Sequence, residues 1–246
     1  MNSSDARLQA AISRWLPRLD EIQGWKEWKR KVTGRTVLYD DLLPGEESGV
    51  GDFDLPPELE IQHTIIMCYY ALSSSLTGLR ACEYYFRRYP FANLPIQKYE
   101  HLRYTCEMYF GRFYEFRERM KKCFEAINKT RPKKQKLNVG QLVKAFDKAF
   151  DQEIRERNKV HHHVSFEDIG INNLFLLTMI SQNADNEWRR RGDAVYREES
   201  RTWAKRVVNR SKMVERFLNF VAEAILDYCP FLGDLAEQAE DKQSAV

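Results

Sequence analysis

The sequence predicts an all-α protein, an antiparallel bundle of long helices with an N-terminal helix-and-loop extension. Three observations predict it. Apolar side chains recur at three- and four-residue spacing through most of the chain. Most of the 11 glycines and 8 prolines cluster between those periodic segments. No stretch alternates apolar and polar residues as a half-buried strand would, and no internal repeat or glycine-rich phosphate loop is present.

The first helical segment covers 5–31, with Leu8, Ile12, Trp15, Leu16, Leu19 and Ile22 on one stripe and Pro17 as a candidate kink. From 33 to 57, Gly34, Pro44, Gly45, Gly49, Gly51, Pro56 and Pro57 predict a loop, with a short extended piece at 36–39. A second helix covers 58–89, and Pro57 suits its start. Ile61, Ile65, Tyr69, Leu72, Leu76 and Leu79 trace its core face, while Ser73, Ser74, Ser75 and Gly78 admit a close neighbour.

Residues 90–95 are a connector to a third helix over 97–128. Its apolar residues, among them Tyr99, Tyr104, Tyr109, Phe113, Phe116 and Phe124, cover more than one face, so it is expected at the centre or half buried in a subunit contact. The linker 128–137 is basic (Lys129, Arg131, Lys133, Lys134 and Lys136), and Pro132 ends the preceding helix. A fourth helix runs from 139 to 162 on Leu142, Val143, Phe146, Phe150 and Ile154. A fifth covers 172–190 on Leu174, Leu176, Leu177 and Ile180. The last covers 200–228 on Val207, Val208, Val214, Phe217, Leu218, Val221 and Ile225, and Pro230 and Gly233 close it. The chain thus divides into an extension (1–57), a bundle (58–232) and a polar tail (233–246).

A 43% hydrophobic content is enough for a sizeable core, and a net charge of +3 is too mild for a protein dominated by a nucleic-acid footprint. Any such role must rest on local patches. Five scattered cysteines with no Cys-x-x-Cys pair predict free thiols in a reducing cytoplasm. The start, Met1-Asn2-Ser3-Ser4-Asp5, lacks a basic region followed by an apolar one, so no secretory leader is expected. No apolar run approaches the roughly 20 residues a membrane span needs. The expectation is a cytoplasmic protein without membrane attachment.

One short run carries chemistry: Arg157-Asn158-Lys159-Val160-His161-His162, at the end of the fourth helix. RNA cleavage requires a group that removes the 2′-hydroxyl proton, a group that protonates the leaving 5′-oxygen, and a cation for the phosphorane. Histidine exchanges protons near neutral pH, and a guanidinium matches the equatorial oxygens. No metal is needed. A helix advances about 100° per residue, so Arg157 and His162 sit about 140° apart on an ideal helix. They meet only if the helix ends near 161–163. Arg157 and His161 share a face at i,i+4, which leaves His161 as the alternative imidazole.

The run resembles the signature of HEPN-domain ribonucleases: an arginine, a polar residue after it, and a histidine four to six residues after the arginine. The resemblance covers about 97–228, with 58–89 as an additional bundle helix, and leaves out the first 57 residues. It implies a metal-independent endoribonuclease that leaves 2′,3′-cyclic phosphate ends and uses no cofactor. It also implies a homodimer whose two motifs face each other, with Arg157 and His162 catalytic and Asn158 supporting. Members of that family act as toxins, held by an antitoxin protein, as phage-defence effectors, and as inactive modules that bind a nucleotide, RNA or a protein partner. The inactive module is the rival reading.

Each piece also has an ordinary structural explanation. Arg157 at i+4 from Glu153 is a common helix ion pair, and a histidine at a helix end interacts with the helix dipole. His161, His162 and His163 diverge by about 100° each on a helix and cannot share one metal, so no metal site is expected. Lys133 and Lys134 of the linker, and Arg201 with Lys205 on one face of the last helix, are candidate RNA-backbone contacts. The run Arg189-Arg190-Arg191 and the neighbours Arg206, Arg210 and Lys212 belong to the same basic set.

Overall fold

The computed structural model describes the backbone of residues 3–38, 52–88, 95–162, 166–181 and 186–235, with their side chains except at 35–38, 161, 162 and 186. All regular structure among these residues is helical. The elements are α1 (Ser4–Trp15), a 3-10 turn (Leu16–Glu21), α2 (Trp25–Leu38), α3 (Pro57–Arg87), α4 (Lys98–Lys129), a second 3-10 turn (Lys133–Gln135), α5 (Val139–Ala149), α6 (Asp151–His162), α7 (Ile169–Ser181) and α8 (Asn186–Tyr228). Residues 230–235 are helical again. The protein is an all-α helical bundle.

The chain groups into two compact units. The first comprises Met1–Met67, Ala126–Gln135 and Asn219–Val246. Ser3 caps α1 by accepting from the Ala6 amide at 3.3 Å. Leu8, Ala11, Ile12 and Trp15 are fully buried. The Trp15 indole donates to Gln62 Oε1 at 2.7 Å, which satisfies the one polar group of that buried ring. Trp25, Trp28 and Phe53 form an aromatic cluster of their own.

The segment expected as one helix over 5–31 is two helices. Pro17 lies at the start of the 3-10 turn, and Gly24 with φ of 84° reverses the chain before α2. Only glycine takes that conformation without strain. The loop and extended piece expected from 33 and 36 are also displaced, because α2 continues through Leu38. The remainder of that loop, 39–51, lies outside the described residues, as do 89–94 of the connector and 236–246 of the tail.

The second unit comprises Cys68–Glu125 and Lys136–Leu218. Within it α3 and α4 run antiparallel. Arg119 of α4 donates to the Ala71 carbonyl at 2.6 Å and to Ser75 Oγ at 2.8 Å, and Arg112 packs over Gly78 further along α3. The small residues Ser75 and Gly78 give these arginines room. The core is aromatic: the Phe150 ring centroid lies 4.6 Å from that of Phe146 and 5.1 Å from that of Phe113, and Phe86 stacks on Trp203 at 5.7 Å.

Phe150 explains a second difference. The helix expected over 139–162 breaks there, where Phe150 takes φ −124° and ψ 31° between α5 and α6. Its ring is fully buried against Phe113, Phe146 and Phe217, so packing sets the backbone at this residue. The last two helices are also divided differently. α7 spans Ile169–Ser181, and α8 begins at Asn186 and runs 43 residues. The polar run 189–199, expected to straddle a break, is the exposed start of α8, where only Tyr196 is buried.

Candidate functional site

Helix α6 carries the Arg-Asn-x3-His run, and it is the most polar helix of the second unit. Asp151 and Glu153 in its first turn favour the positive end of the helix dipole. Most of its side chains are exposed or half-buried; Glu153 is the exception, with no accessible surface. Three groups converge on Glu153 Oε1. Arg206 Nη2 lies at 2.9 Å, Arg210 Nε at 3.0 Å, and the Tyr109 hydroxyl donates at 3.4 Å. Glu153 Oε2 has no hydrogen-bond partner among the described residues. The carboxylate therefore fastens α6 to α4 and α8 by charge where other helices use a hydrocarbon face.

The surroundings shift the partners in consistent directions. Burial, with the Glu153 charge beside it, holds the Tyr109 hydroxyl well above the ordinary tyrosine range. Burial works against the Arg206 cation, but its hydrogen bond to Glu153 and the neighbouring Tyr109 raise it above its ordinary value. Arg206 also lies over the Trp203 ring at 4.9 Å.

One turn beyond Glu153, Arg157 lies over Tyr114 of α4, its guanidinium carbon 3.8 Å from the ring centroid. Its Nη1 donates to Asn158 Oδ1 at 3.2 Å. The ordinary i,i+4 pair of Arg157 with Glu153 does not form; Glu153 pairs through Oε1 with Arg206 and Arg210 of α8. Arg157 is half-buried and Asn158 is exposed, so the arginine is oriented without being neutralised. His162 is the last described residue of α6. The side chains of His161 and His162, and all of His163, lie outside the described residues.

The remaining candidates are dispersed. Lys133 and Lys134 are exposed on the short 3-10 turn of the first unit. Arg201 and Lys205 are exposed on α8 and enter no ion pair among the described residues. Lys205 borders an open groove of about 390 Å³ with Asn209 and Met213. Arg206 and Arg210, members of the same basic set, turn to Glu153. Another cleft, of about 290 Å³, lies along α6, lined by Gln152, Glu156 and Lys159 with Phe110, Phe166, Trp203 and Arg206. Arg157 and Asn158 do not line it.

Sequence reasoning missed Tyr114, Tyr109 and the role of Glu153. A signal for Glu153 was present: it continues the register of Phe146 and Phe150 at i+7 and i+3, which marks a carboxylate on a core-facing line. Nothing local marks Tyr114, which is one of many aromatics on α4.

Comparison with protein-family models, curated proteins and solved structures finds no match. Among the described residues, no group of three or more His, Cys, Asp or Glu side chains could hold a metal ion, and no helix is long and apolar enough to cross a membrane.

Proposed function

We propose that the protein is a metal-independent endoribonuclease of HEPN type that acts as a homodimer. The observation that carries the reading is the state of Arg157. It is a half-buried guanidinium seated on Tyr114, bonded to Asn158 and without a carboxylate partner among the described residues, one turn before the two histidines at the last described positions of α6.

The chemistry follows from these residues. The 2′-hydroxyl of RNA attacks the adjacent phosphorus as an imidazole takes its proton. Negative charge then gathers on the equatorial oxygens of the phosphorane, and the Arg157 guanidinium, charged at any working pH, stabilises it. An imidazolium returns a proton to the leaving 5′-oxygen, and the product carries a 2′,3′-cyclic phosphate. His162 is the proton-transfer group in this reading, with His161 as its alternative. Asn158 holds the guanidinium in register. One chain supplies one such motif, so a second copy brings the second imidazole and arginine. A toxin or defence effector held by an antitoxin protein is the biological setting that fits such an activity.

The test is cleavage of total RNA and a tRNA pool in excess EDTA by wild type, His162→Ala and Arg157→Ala. The expected result is cyclic-phosphate ends from wild type and a loss of at least ~100-fold in each variant. Equal rates in wild type and His162→Ala would remove the assigned role. RNA retained without cleavage by wild type would favour the inactive binding module.

A further inference from the structure

A further cleft lies away from α6, where the start of α4, α7 and the start of α8 meet in the second unit. Its volume is about 410 Å³, within the range of small-molecule sites. We infer that this cleft takes one nucleotide of single-stranded RNA, with the base inside and the phosphate on Arg189. The inference goes beyond the proposed catalysis and does not depend on it.

The lining supplies the parts a nucleotide needs. Leu174 and Leu177 form an apolar wall, and Trp188, 38% exposed, offers an indole edge and face. Gly192 packs against that wall; a Cβ there would lie in ordinary contact with Leu177 Cβ at 3.8 Å and Leu174 Cδ1 at 3.9 Å. Gly192 is itself a lining residue, so a larger side chain there would crowd the cleft beside the leucines. The Gln97 side-chain amide is exposed and makes no hydrogen bond among the described residues, so its donor and acceptor are both available to a base edge. The Thr178 hydroxyl donates to the Leu174 carbonyl at 2.8 Å and keeps its lone pairs as acceptors.

Charge selects the ligand class. Arg189 lies in the wall, and Arg190 and Arg191 follow it on the exposed start of α8. None of the three pairs with a carboxylate among the described residues; Arg191 lies 5.9 Å from the Trp188 ring. The one acid in the lining, Asp193, is bound to Lys98. An indole and two leucines beside guanidiniums unpaired among the described residues match a base joined to a phosphate. The positive run extends past the cleft, which favours a strand with successive phosphates over a free mononucleotide. A duplex does not fit, since the base must leave its stack to enter.

The test is binding of a fluorescent 2′-O-methyl single-stranded oligonucleotide, which lacks the 2′-hydroxyl nucleophile, so cleavage plays no part. Wild type is compared with Trp188→Ala, Trp188→Phe, Gly192→Leu and the double variant Arg189→Ala/Arg190→Ala. The expected result is a rise in Kd of about tenfold or more for Trp188→Ala, Gly192→Leu and the double variant, with Trp188→Phe near wild type. The double variant also loses about one unit of salt slope for each phosphate contact removed. Helical circular dichroism confirms that each variant is folded. Affinities within twofold of wild type for folded cleft variants would overturn the inference, as would no oligonucleotide binding by wild type. Competition by a nucleoside monophosphate as strong as by the oligonucleotide would replace RNA with a free nucleotide. Displacement by anionic phospholipid vesicles, to which the exposed Leu176, Met179 and Ile180 nearby would also bind, would overturn it in favour of a lipid surface.

Discussion

A guanidinium resting on an aromatic ring is held in place without losing its charge, and that is the condition of Arg157 on Tyr114. An ion pair would have oriented the arginine equally well but spent its charge. On the proposed activity, Tyr114 is expected to act as a positioning residue for the Arg157 guanidinium. Tyr114→Ala is expected to slow RNA cleavage about tenfold, the scale of one cation–π contact, while Tyr114→Phe keeps the ring and stays near wild type. Single-turnover rates with the same RNA check both. A Tyr114→Phe variant as slow as Tyr114→Ala would assign the effect to the hydroxyl instead. In the sequence Arg157 and Asn158 were legible as candidates, because a cation, an amide and imidazoles in one short run are unusual. The ring beneath the arginine was not, because it lies 43 positions earlier in the chain.

Among elements, α6 has few apolar side chains to bury, and its attachment is ionic. Glu153 has no accessible surface, and its partners Arg206 and Arg210 have side chains only about a quarter exposed, at 26% and 27%. Removing the carboxylate leaves two guanidiniums without a counter-charge. Glu153→Gln is expected to cost about 3 kcal/mol, the low end of the range for a broken buried pair, because solvent still reaches the arginines. Urea unfolding measures it. Replacing all three together, as Glu153→Leu with Arg206→Met and Arg210→Met, should recover most of that loss, since desolvation offsets much of what such a cluster contributes. A triple variant less stable than Glu153→Gln would show that the charges themselves stabilise α6. The elements were legible to different degrees. α3 and α4 follow their apolar periodicity almost to the residue. The break at Phe150 did not show, because a buried phenylalanine reads the same whether its backbone is helical or not.

At the scale of the molecule, each unit holds a histidine that resists protonation, half-buried His63 in the first and buried His101 in the second. Burial lowers the pKa of His63 below its ordinary 6.5. Burial also lowers that of His101, a shift only partly offset by a backbone hydrogen bond at Tyr85. The folded state then binds its proton less readily than the unfolded state. Below about pH 6.5 the unfolded chain takes up more protons, so stability is fully present above that pH and falls as pH drops below it. Thermal melts between pH 8 and 5 are expected to show a falling midpoint below pH 6.5, and His63→Gln with His101→Gln should flatten the decline. An unchanged slope in the double variant would place the pH dependence in other groups. His101 also hydrogen-bonds the Tyr196 hydroxyl through Nδ1 at 3.2 Å, so the double variant should start from a lower midpoint.

Helical periodicity and the clustering of Gly and Pro determined the all-α class and the long helices, because amphipathic spacing is a local property that one segment carries alone. The Arg-Asn-x3-His run was likewise visible as a string of residue types. Tertiary structure decided what those residues touch. It gave Glu153 to Arg206 and Arg210 instead of Arg157, seated Arg157 on Tyr114, turned two of the basic residues of α8 inward, and joined the polar run 189–199 to α8. These are choices among partners of similar chemistry far apart in the chain, and only packing and desolvation in three dimensions select between them.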